Sequence, residues 1–141
     1  MEASNLIKEA IQARERAYAP YSNFLVGAAL LTKEGKVYKG CNIESDVFSP
    51  SICAERVAMF KALSEGETEF SAIAIVGGFR NTNPSDPCFP CGVCRQVLSE
   101  HVSLNEFRVI VGTPENYKVY TLKQLLPEDF VLKDESQLNV I

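Results

Sequence analysis

Apolar residues recur at three- and four-residue spacing near the N-terminus, which predicts an amphipathic helix. The pattern extends to Ala17, and the helix must end before Pro20. An apolar run rich in β-forming residues follows at 24–31, and the turn-like residues 33–36 separate it from a second short run at 37–39. These two runs predict a β-hairpin.

The rest of the chain alternates between helical and strand-like segments. Residues 53–64 lack Gly and Pro and are rich in good helix formers, and a second helix is predicted to begin near Cys91. The short, continuously apolar run at 72–76 is typical of a strand buried on both faces, and residues 107–111 predict another buried strand. A capping-box pattern at 121–124 predicts a short final helix.

The order of these elements is helix, hairpin, helix, strand, helix, strand, short strand and short helix. Alternation of this kind favours a mixed sheet with helices on its faces. We therefore predict a three-layer α/β/α sandwich, with residues 1–141 forming a single domain.

The amino-acid composition and net charge argue against nucleic acid and membranes as partners. The chain is 46% hydrophobic and 23% charged, with a net charge of -4, so it offers little general attraction to nucleic acid. It has no apolar segment long enough to span a membrane, and residues 1–5 lack the basic and apolar pattern of a signal peptide. We predict a cytoplasmic protein whose five cysteines are reduced thiols, metal ligands or packed side chains.

Two cysteine motifs stand at the predicted starts of two helices, namely Cys53-Ala54-Glu55 and Pro90-Cys91-Gly92-Val93-Cys94. The partial positive charge of a helix N-terminus favours the thiolate form of cysteine. Three thiolates leave one of the four tetrahedral positions of zinc for water, as in a catalytic site. The sequence therefore predicts one Zn²⁺ per subunit, held by Cys53, Cys91 and Cys94.

The choice of ligands has an alternative, because Cys88 also forms a C-x-x-C pair with Cys91. We favour Cys91 and Cys94, since Pro90 marks the start of the helix that would direct both thiolates. Cys41 and Cys88 are then interpreted as small packed side chains near the site.

A structural zinc site or a redox centre is also compatible with an isolated C-x-x-C motif. A structural zinc site needs a fourth ligand, and the only histidine, His101, is predicted to lie two to three turns into a helix, as a helix-face residue. A thioredoxin-like redox site would leave Cys53 and Glu55 without a role.

Charged neighbours of the first ligand suggest how the metal would be used. Glu55, two residues after Cys53, can reach a zinc-bound water without binding the metal, so it is the candidate proton carrier. Three thiolates give the metal site a net charge of -1. Arg56 is the candidate donor to the ligand sulfurs that offsets this charge, or alternatively a surface arginine paired with a carboxylate.

The cysteine and glutamate motifs resemble those of the zinc deaminases. The wider match is to the small homotetrameric cytidine deaminases and covers residues 5 to 130. It is carried by the segments 18–22, 26–31, 40–44, 53–56, 90–92, 94–97 and 125–127. This resemblance implies hydrolytic conversion of cytidine and deoxycytidine to uridine and deoxyuridine with release of ammonia. It also implies that Glu55 moves protons between water, ring N3 and the departing amine.

The nucleoside would be held by residues on several segments. Asn42 and Glu44 are two residues apart in an extended segment, so both side chains leave the same side of the backbone, and they suit ribose hydroxyls. The resemblance assigns both to the sugar. It adds Phe24, Phe48 and Ala54 beside the nucleoside, and Phe130 entering the site of a neighbouring subunit in a homotetramer with shared active sites.

Two segments depart from the family pattern. One precedes Cys53 and includes Phe48 where a tyrosine is usual, and the other, 80–89, leads into the second cysteine motif. Loops on rigid scaffolds commonly set specificity, so one interpretation of these departures is a substrate range shifted towards N4-substituted pyrimidine nucleosides. We favour neutral drift in a plain cytidine deaminase and keep the shifted range as the alternative.

Two further alternatives concern function. A tRNA or single-strand DNA deaminase would be expected to show a basic groove and usually histidine as the first ligand, and neither is present in the sequence. A non-enzymatic zinc module predicts a metal saturated by four ligands.

Overall fold

A computed structural model describes residues 1–132. The elements in chain order are α1 (Ala3–Arg14), β1 (Phe24–Thr32), β2 (Val37–Cys41), α2 (Ala54–Ser64), β3 (Phe70–Phe79), α3 (Gly92–Ser99), β4 (Arg108–Gly112), β5 (Tyr117–Thr121) and α4 (Leu122–Leu125). Among these residues no helix is both long enough and apolar enough to cross a membrane. The predicted single domain also includes 133–141, which lie outside the described residues.

The five strands form one mixed sheet in the order β2-β1-β3-β4-β5. β1 is antiparallel to both β2 and β3, β3 is parallel to β4, and β4 is antiparallel to β5. The predicted hairpin of β1 and β2 is confirmed, and so is the mixed sheet.

Alternating residues of the central strands face two separate apolar cores, as expected for strands covered on both sides. One face packs against α2 and α3 and includes Ala28, Leu30, Ile73, Ile75, Val109 and Val111. The other packs against α1 and includes Ala29, Ala72, Ala74, Val76 and Ile110. The predicted three-layer α/β/α sandwich is confirmed.

Glycines allow both long helices to lie directly on the hairpin. A Cβ added to Gly27 would lie 2.1 Å from the carbonyl oxygen of Ala10 in α1, and one added to Gly40 would lie 2.4 Å from that of Ala54 in α2. These glycines are required because a side chain would collide with helix backbone. The contact at Gly40 fixes the first turn of α2 against the end of β2, beside the segment that carries Asn42.

The largest differences from the predicted element boundaries are in α1, β3 and α3. α1 ends at Arg14 instead of continuing to Ala17, and the Arg14 guanidinium donates to backbone carbonyls of β1 and β3. β3 extends beyond the predicted 72–76 because it pairs with β1 along its length. α3 ends at Ser99, so the placement of His101 within a helix was wrong.

Candidate active site

The N-termini of α2 and α3 bring three cysteines together. Cys53 is the N-cap of α2, Cys91 is the N-cap of α3, and Cys94 lies in the first turn of α3. Neither capping cysteine accepts a capping hydrogen bond from a backbone N–H of its helix, so both sulfurs are free to turn towards each other. The three Sγ atoms lie within 4.8 Å of one another.

The spacing of the sulfurs suits tetrahedral zinc. The Sγ atoms of Cys53 and Cys91 are 3.8 Å apart. Two thiolates on one tetrahedral zinc, with Zn–S bonds of about 2.3 Å, would be about 3.8 Å apart. Within residues 1–132 no fourth His, Cys, Asp or Glu joins the group. The donor set therefore fits a zinc ion with an open position and does not fit a closed four-ligand site.

Without metal, the sulfurs share protons unequally. A hydrogen bond from Cys94, together with one from Arg56, lowers the pKa of Cys53 to about 5. The same interaction with Cys53, together with burial, raises the pKa of Cys94 well above its ordinary value. Their interaction thus favours the thiolate form of Cys53 over that of Cys94. Metal binding must displace the remaining protons, because thiolates are the zinc ligands.

The Arg56 guanidinium lies beside the Cys53 sulfur, the first of the two alternatives for this side chain. Its Nη2 donates to the Cys53 Sγ at 3.6 Å, and this contact raises the pKa of Arg56. Its buried Nε has no hydrogen-bond partner within the described part of the chain. A guanidinium next to three sulfurs offsets part of their negative charge when all are thiolates.

Cys88, the alternative ligand, lies outside the sulfur group. Its Sγ would be 2.6 Å from a Cβ added to Gly77, so the side chain packs over the backbone of β3. Burial raises the pKa of Cys88 to about 11, which disfavours the thiolate. The structure therefore places Cys88 as a packed thiol, as the sequence interpretation has it.

Glu55 is buried beside the cysteines. It is 4% exposed and lies in the first turn of α2. Burial raises the pKa of Glu55 to about 7, and the negative charge of Cys53 acts in the same direction. A carboxyl group with such a pKa can both accept and release a proton near neutral pH.

A pocket of about 250 Å³ opens above these residues, the size of a small ligand site. It is lined by Val26, Asn42, Ile43, Glu44, Ser51, Ile52, Cys53, Ala54, Glu55, Cys88, Phe89 and Cys91. Two of the three candidate metal ligands, Cys53 and Cys91, and the buried carboxyl of Glu55 thus line the same pocket as the predicted sugar-binding pair. A larger depression of about 620 Å³ lies elsewhere, between α1, β2 and α2, and lacks the three sulfurs.

Backbone pairing places the sugar-binding segment beside the first ligand. Ile43 and Ile52 form a two-way bridge, with N–H to carbonyl distances of 3.0 and 2.9 Å. On its other side the segment pairs with Tyr18, which donates to the Asn42 carbonyl and accepts from the Glu44 N–H. Asn42 and Glu44 are therefore held next to Cys53.

The side chains of Asn42 and Glu44 are themselves fixed. Asn42 Oδ1 accepts from the Val26 N–H at 2.8 Å, and its Nδ2 donates to the Phe24 carbonyl at 2.9 Å. The Glu44 carboxylate accepts from the backbone N–H groups of Tyr21 and Ser22 and from the Ser22 hydroxyl, which lowers the pKa of Glu44. Both groups are thus pre-oriented, each with hydrogen-bonding capacity to spare.

Of the four apolar residues predicted to contact the nucleoside, only one lines the pocket. Ala54 lines the pocket. Phe24 packs edge-on against Phe79 at a centroid distance of 5.2 Å, close to Cys88. Phe48 is 80% exposed and borders an adjacent depression that shares Glu44 and Ser51 with the pocket. Phe130 is 68% exposed and lies outside the pocket of its own chain.

Several residues of the pocket wall were missed from sequence. Phe89 packs against Tyr120 at a centroid distance of 5.6 Å, and Ser51 links the segment back to Ser45 by accepting from its N–H. Val26, Ile43 and Ile52 complete the apolar wall. Phe89 had a usable signal, because an aromatic residue directly before a metal-binding motif is well placed to line the site.

The sequence is similar to a known protein family and to named relatives. The family model for the cytidine and deoxycytidylate deaminase zinc-binding region matches residues 1–111. Cytidine deaminase of Halalkalibacterium halodurans is 46% identical over 135 residues, covering 95% of this chain and 98% of the relative. Cytidine deaminase of Sporosarcina psychrophila is 42% identical over 136 residues, with 96% of each chain covered.

Solved structures agree with the sequence relatives. The crystal structure of cytidine deaminase from Burkholderia pseudomallei is similar with a TM-score of 0.82 and 44% identity, covering 92% of this chain and 100% of that one. That of cytidine deaminase from Mycobacterium tuberculosis gives a TM-score of 0.78 and 36% identity, covering 94% and 99%.

Proposed function

Since the chain belongs to the cytidine and deoxycytidylate deaminase zinc-binding family, we propose that Cys53, Cys91 and Cys94 hold its zinc and that Glu55 moves the protons. The protein is a zinc-dependent hydrolase that converts cytidine and water to uridine and ammonia. One observation carries the assignment of residues: two cysteines of the three-sulfur cluster, Cys53 and Cys91, line the same pocket as the buried carboxyl group of Glu55.

The metal's contribution to the reaction is to make water more acidic. Zinc, when held by the three sulfurs, supplies a Lewis acid that lowers the pKa of water. Arg56 supports this chemistry, because its donation to Cys53 withdraws negative charge from the ligand set.

Glu55 transfers the protons of the reaction in this proposal. Attack of water at C4 of the ring releases one proton, which N3 takes up. The new C4 hydroxyl then gives up a second proton, which the exocyclic amine takes up before ammonia leaves. With a pKa of about 7, the Glu55 carboxyl can take a proton from water and return it to the ring. Its burial excludes bulk water from this exchange.

Asn42 and Glu44 bind the sugar of the nucleoside in this proposal. The remaining N–H and lone pair of the amide, and the free lone pairs of the carboxylate, suit the mixed donor and acceptor character of ribose hydroxyls. Ala54 and Phe89 offer apolar surface to the base. Deoxycytidine is accepted as well, because the 3′ and 5′ hydroxyls remain.

Replacing Glu44 with alanine is expected to lower kcat/KM for cytidine by about one to two powers of ten, because hydrogen bonds between the carboxylate and the sugar hydroxyls are lost. Asn42→Ala should act in the same direction, with some loss of thermal stability because two bonds to β1 are also lost. Zinc content should be unchanged in both variants.

The exposed Glu115, in the turn between β4 and β5, provides a matched control, and Glu115→Ala should behave as wild type. Steady-state kinetics with cytidine and with free cytosine check the assignment. Unchanged kinetics with cytidine in Glu44→Ala would remove this carboxylate from the pocket.

Assembly and location belong to the proposal too. Phe130, Val131 and Leu132 are 68, 61 and 84% exposed, and three adjacent exposed apolar residues are suited to contact with another chain. We infer a homotetramer with shared active sites, in which Phe130 borders a partner's pocket. We also infer a cytoplasmic location, where cysteines stay reduced and available to metal.

The N4-substituted substrate range remains a prediction. The segment 80–89, which departs from the family pattern, contributes Cys88 and Phe89 to the pocket wall. Phe48, from the other departing segment, borders the neighbouring depression instead. Rates for cytidine, deoxycytidine, cytosine and N4-methylcytidine decide the matter. We expect both nucleosides to exceed cytosine. A rate for N4-methylcytidine comparable to that for cytidine would support the shifted range, and strong discrimination against it would leave the plain activity.

A further inference from the structure

Gln96 clasps the backbone of the C-terminal segment. Its Nε2 donates to the Phe130 carbonyl at 2.7 Å, and its Oε1 accepts from the Phe130 N–H at 3.0 Å. A single side-chain amide thus satisfies both polar backbone atoms of one residue, as a neighbouring strand would. This contact joins residues 34 positions apart in the chain.

The residue next to Gln96 makes a second link to the same part of the chain. Arg95 Nε donates to the Pro90 carbonyl, and its Nη1 donates to the Leu125 carbonyl, both at 2.7 Å. Pro90 directly precedes the ligand Cys91, and Leu125 is the last residue of α4. The helix that presents two zinc ligands therefore also holds the end of α4 and the segment that follows it.

The clasp fixes the backbone of Phe130 while its ring remains mostly exposed. Within the described residues, the ring contributes to a shallow depression with Ser99, Glu100 and Leu132 and does not reach the pocket of its own chain. An apolar side chain on an anchored backbone is pre-organised for contact with a second chain, since the ordering cost is met before binding.

We propose that Gln96 is a positioning residue, which ties Phe130 to the zinc-ligand helix and so sets the place of its ring at the pocket of a second copy. This inference rests on the proposed shared active site. Gln96 belongs neither to the three-sulfur group nor to the pocket lining, and in this proposal it acts through Phe130.

Gln96→Met tests the clasp, because methionine has a similar length and forms neither hydrogen bond. Gln12→Met on α1 is a matched control, since Gln12 is exposed and accepts one bond from Lys39. In hydrogen–deuterium exchange, the peptide containing Phe130 should exchange about tenfold faster in Gln96→Met than in wild type. Gln12→Met should leave that peptide unchanged, and both variants should keep one zinc per chain.

A double-mutant cycle tests the route of action. Gln96→Met and Phe130→Ala should each raise KM for cytidine about tenfold with a smaller change in kcat, and the double variant should be no worse than Phe130→Ala alone.

Three results would overturn the proposal. They are unchanged hydrogen exchange at Phe130 in Gln96→Met, loss of zinc in Gln96→Met, and a double variant whose KM shows the product of both single effects. Failure of the proposed function would appear differently, as absent turnover in wild type, because exchange reports the clasp without turnover.

Discussion

Replacement of Glu55 by glutamine is expected to lower kcat for cytidine by about 10²–10⁴-fold while one zinc per chain is retained. The amide is close to the carboxyl in size and can fill the same buried position, but it cannot take a proton from water and return it to the ring. No ligand is removed, since the metal group consists of Cys53, Cys91 and Cys94. Steady-state kinetics and metal analysis of the same preparation measure both effects.

Glu106→Gln supplies the matched control for this experiment. Glu106 is exposed, so the same chemical change there should leave kcat and zinc content as in wild type. Near-wild-type turnover in Glu55→Gln would exclude the carboxyl as the proton carrier. Loss of zinc in Glu55→Gln would instead indicate that Glu55 binds the metal.

Loss of a ligand is expected to have the second large effect. Cys91→Ala should lose zinc and also lower the thermal unfolding midpoint, because metal binding and local folding are coupled where thiolates hold two helix N-termini together. Structural zinc sites contribute on the order of 10 kcal/mol, so removal of one of three ligands should weaken binding by several powers of ten.

Cys88→Ala is the matched comparison, because it removes a neighbouring thiol that lies outside the sulfur group. It should keep zinc and lose only the stability of a small packed side chain, about 1 kcal/mol. Zinc titration of the reduced proteins with a competing chelator distinguishes the two variants. Zinc loss in Cys88→Ala with retention in Cys91→Ala would reverse the choice of ligands.

The fold and the sulfur cluster could be predicted because each depends on local pattern. Cysteines at the start of two helices must point out of the helix ends, and the β3 strand between them makes those ends parallel neighbours. Two apolar faces on the central strands then require helices on both sides. The capping box of Thr121 and Gln124 was likewise readable from sequence and is present.

Other features depend on register and on distant contacts. The hydrogen bonds between the Asn42 amide and the backbone of β1 require Gly27 to pair with Cys41. A one-residue slip of the pairing would turn the amide to the other face of the sheet. Gln96 and Arg95 reach segments about 30 residues away, which no spacing rule identifies. The extension of β3 through Gly77 and Gly78 was missed because glycine ordinarily weakens strands.

Placement of the aromatic residues shows a further limit. Phe130 is anchored on one chain and exposed, so the contact that we propose between its ring and a nucleoside depends on assembly rather than on the fold of one chain. Phe48 lies on a surface segment whose neighbours within the chain are few, since it is 80% exposed.

The central claim is that the three-sulfur site and Glu55 together deaminate cytidine, and one reconstitution experiment tests it most directly. Cytidine turnover, followed by ultraviolet absorbance and by ammonia release, is measured on wild type and Glu55→Gln before and after zinc removal by a chelator, and again after zinc is restored. We predict turnover in wild type that disappears with the metal and returns with one zinc per chain, and no comparable turnover in zinc-loaded Glu55→Gln. Zinc bound at one per chain in a wild-type protein that leaves cytidine unchanged would contradict the account and favour a non-enzymatic zinc module.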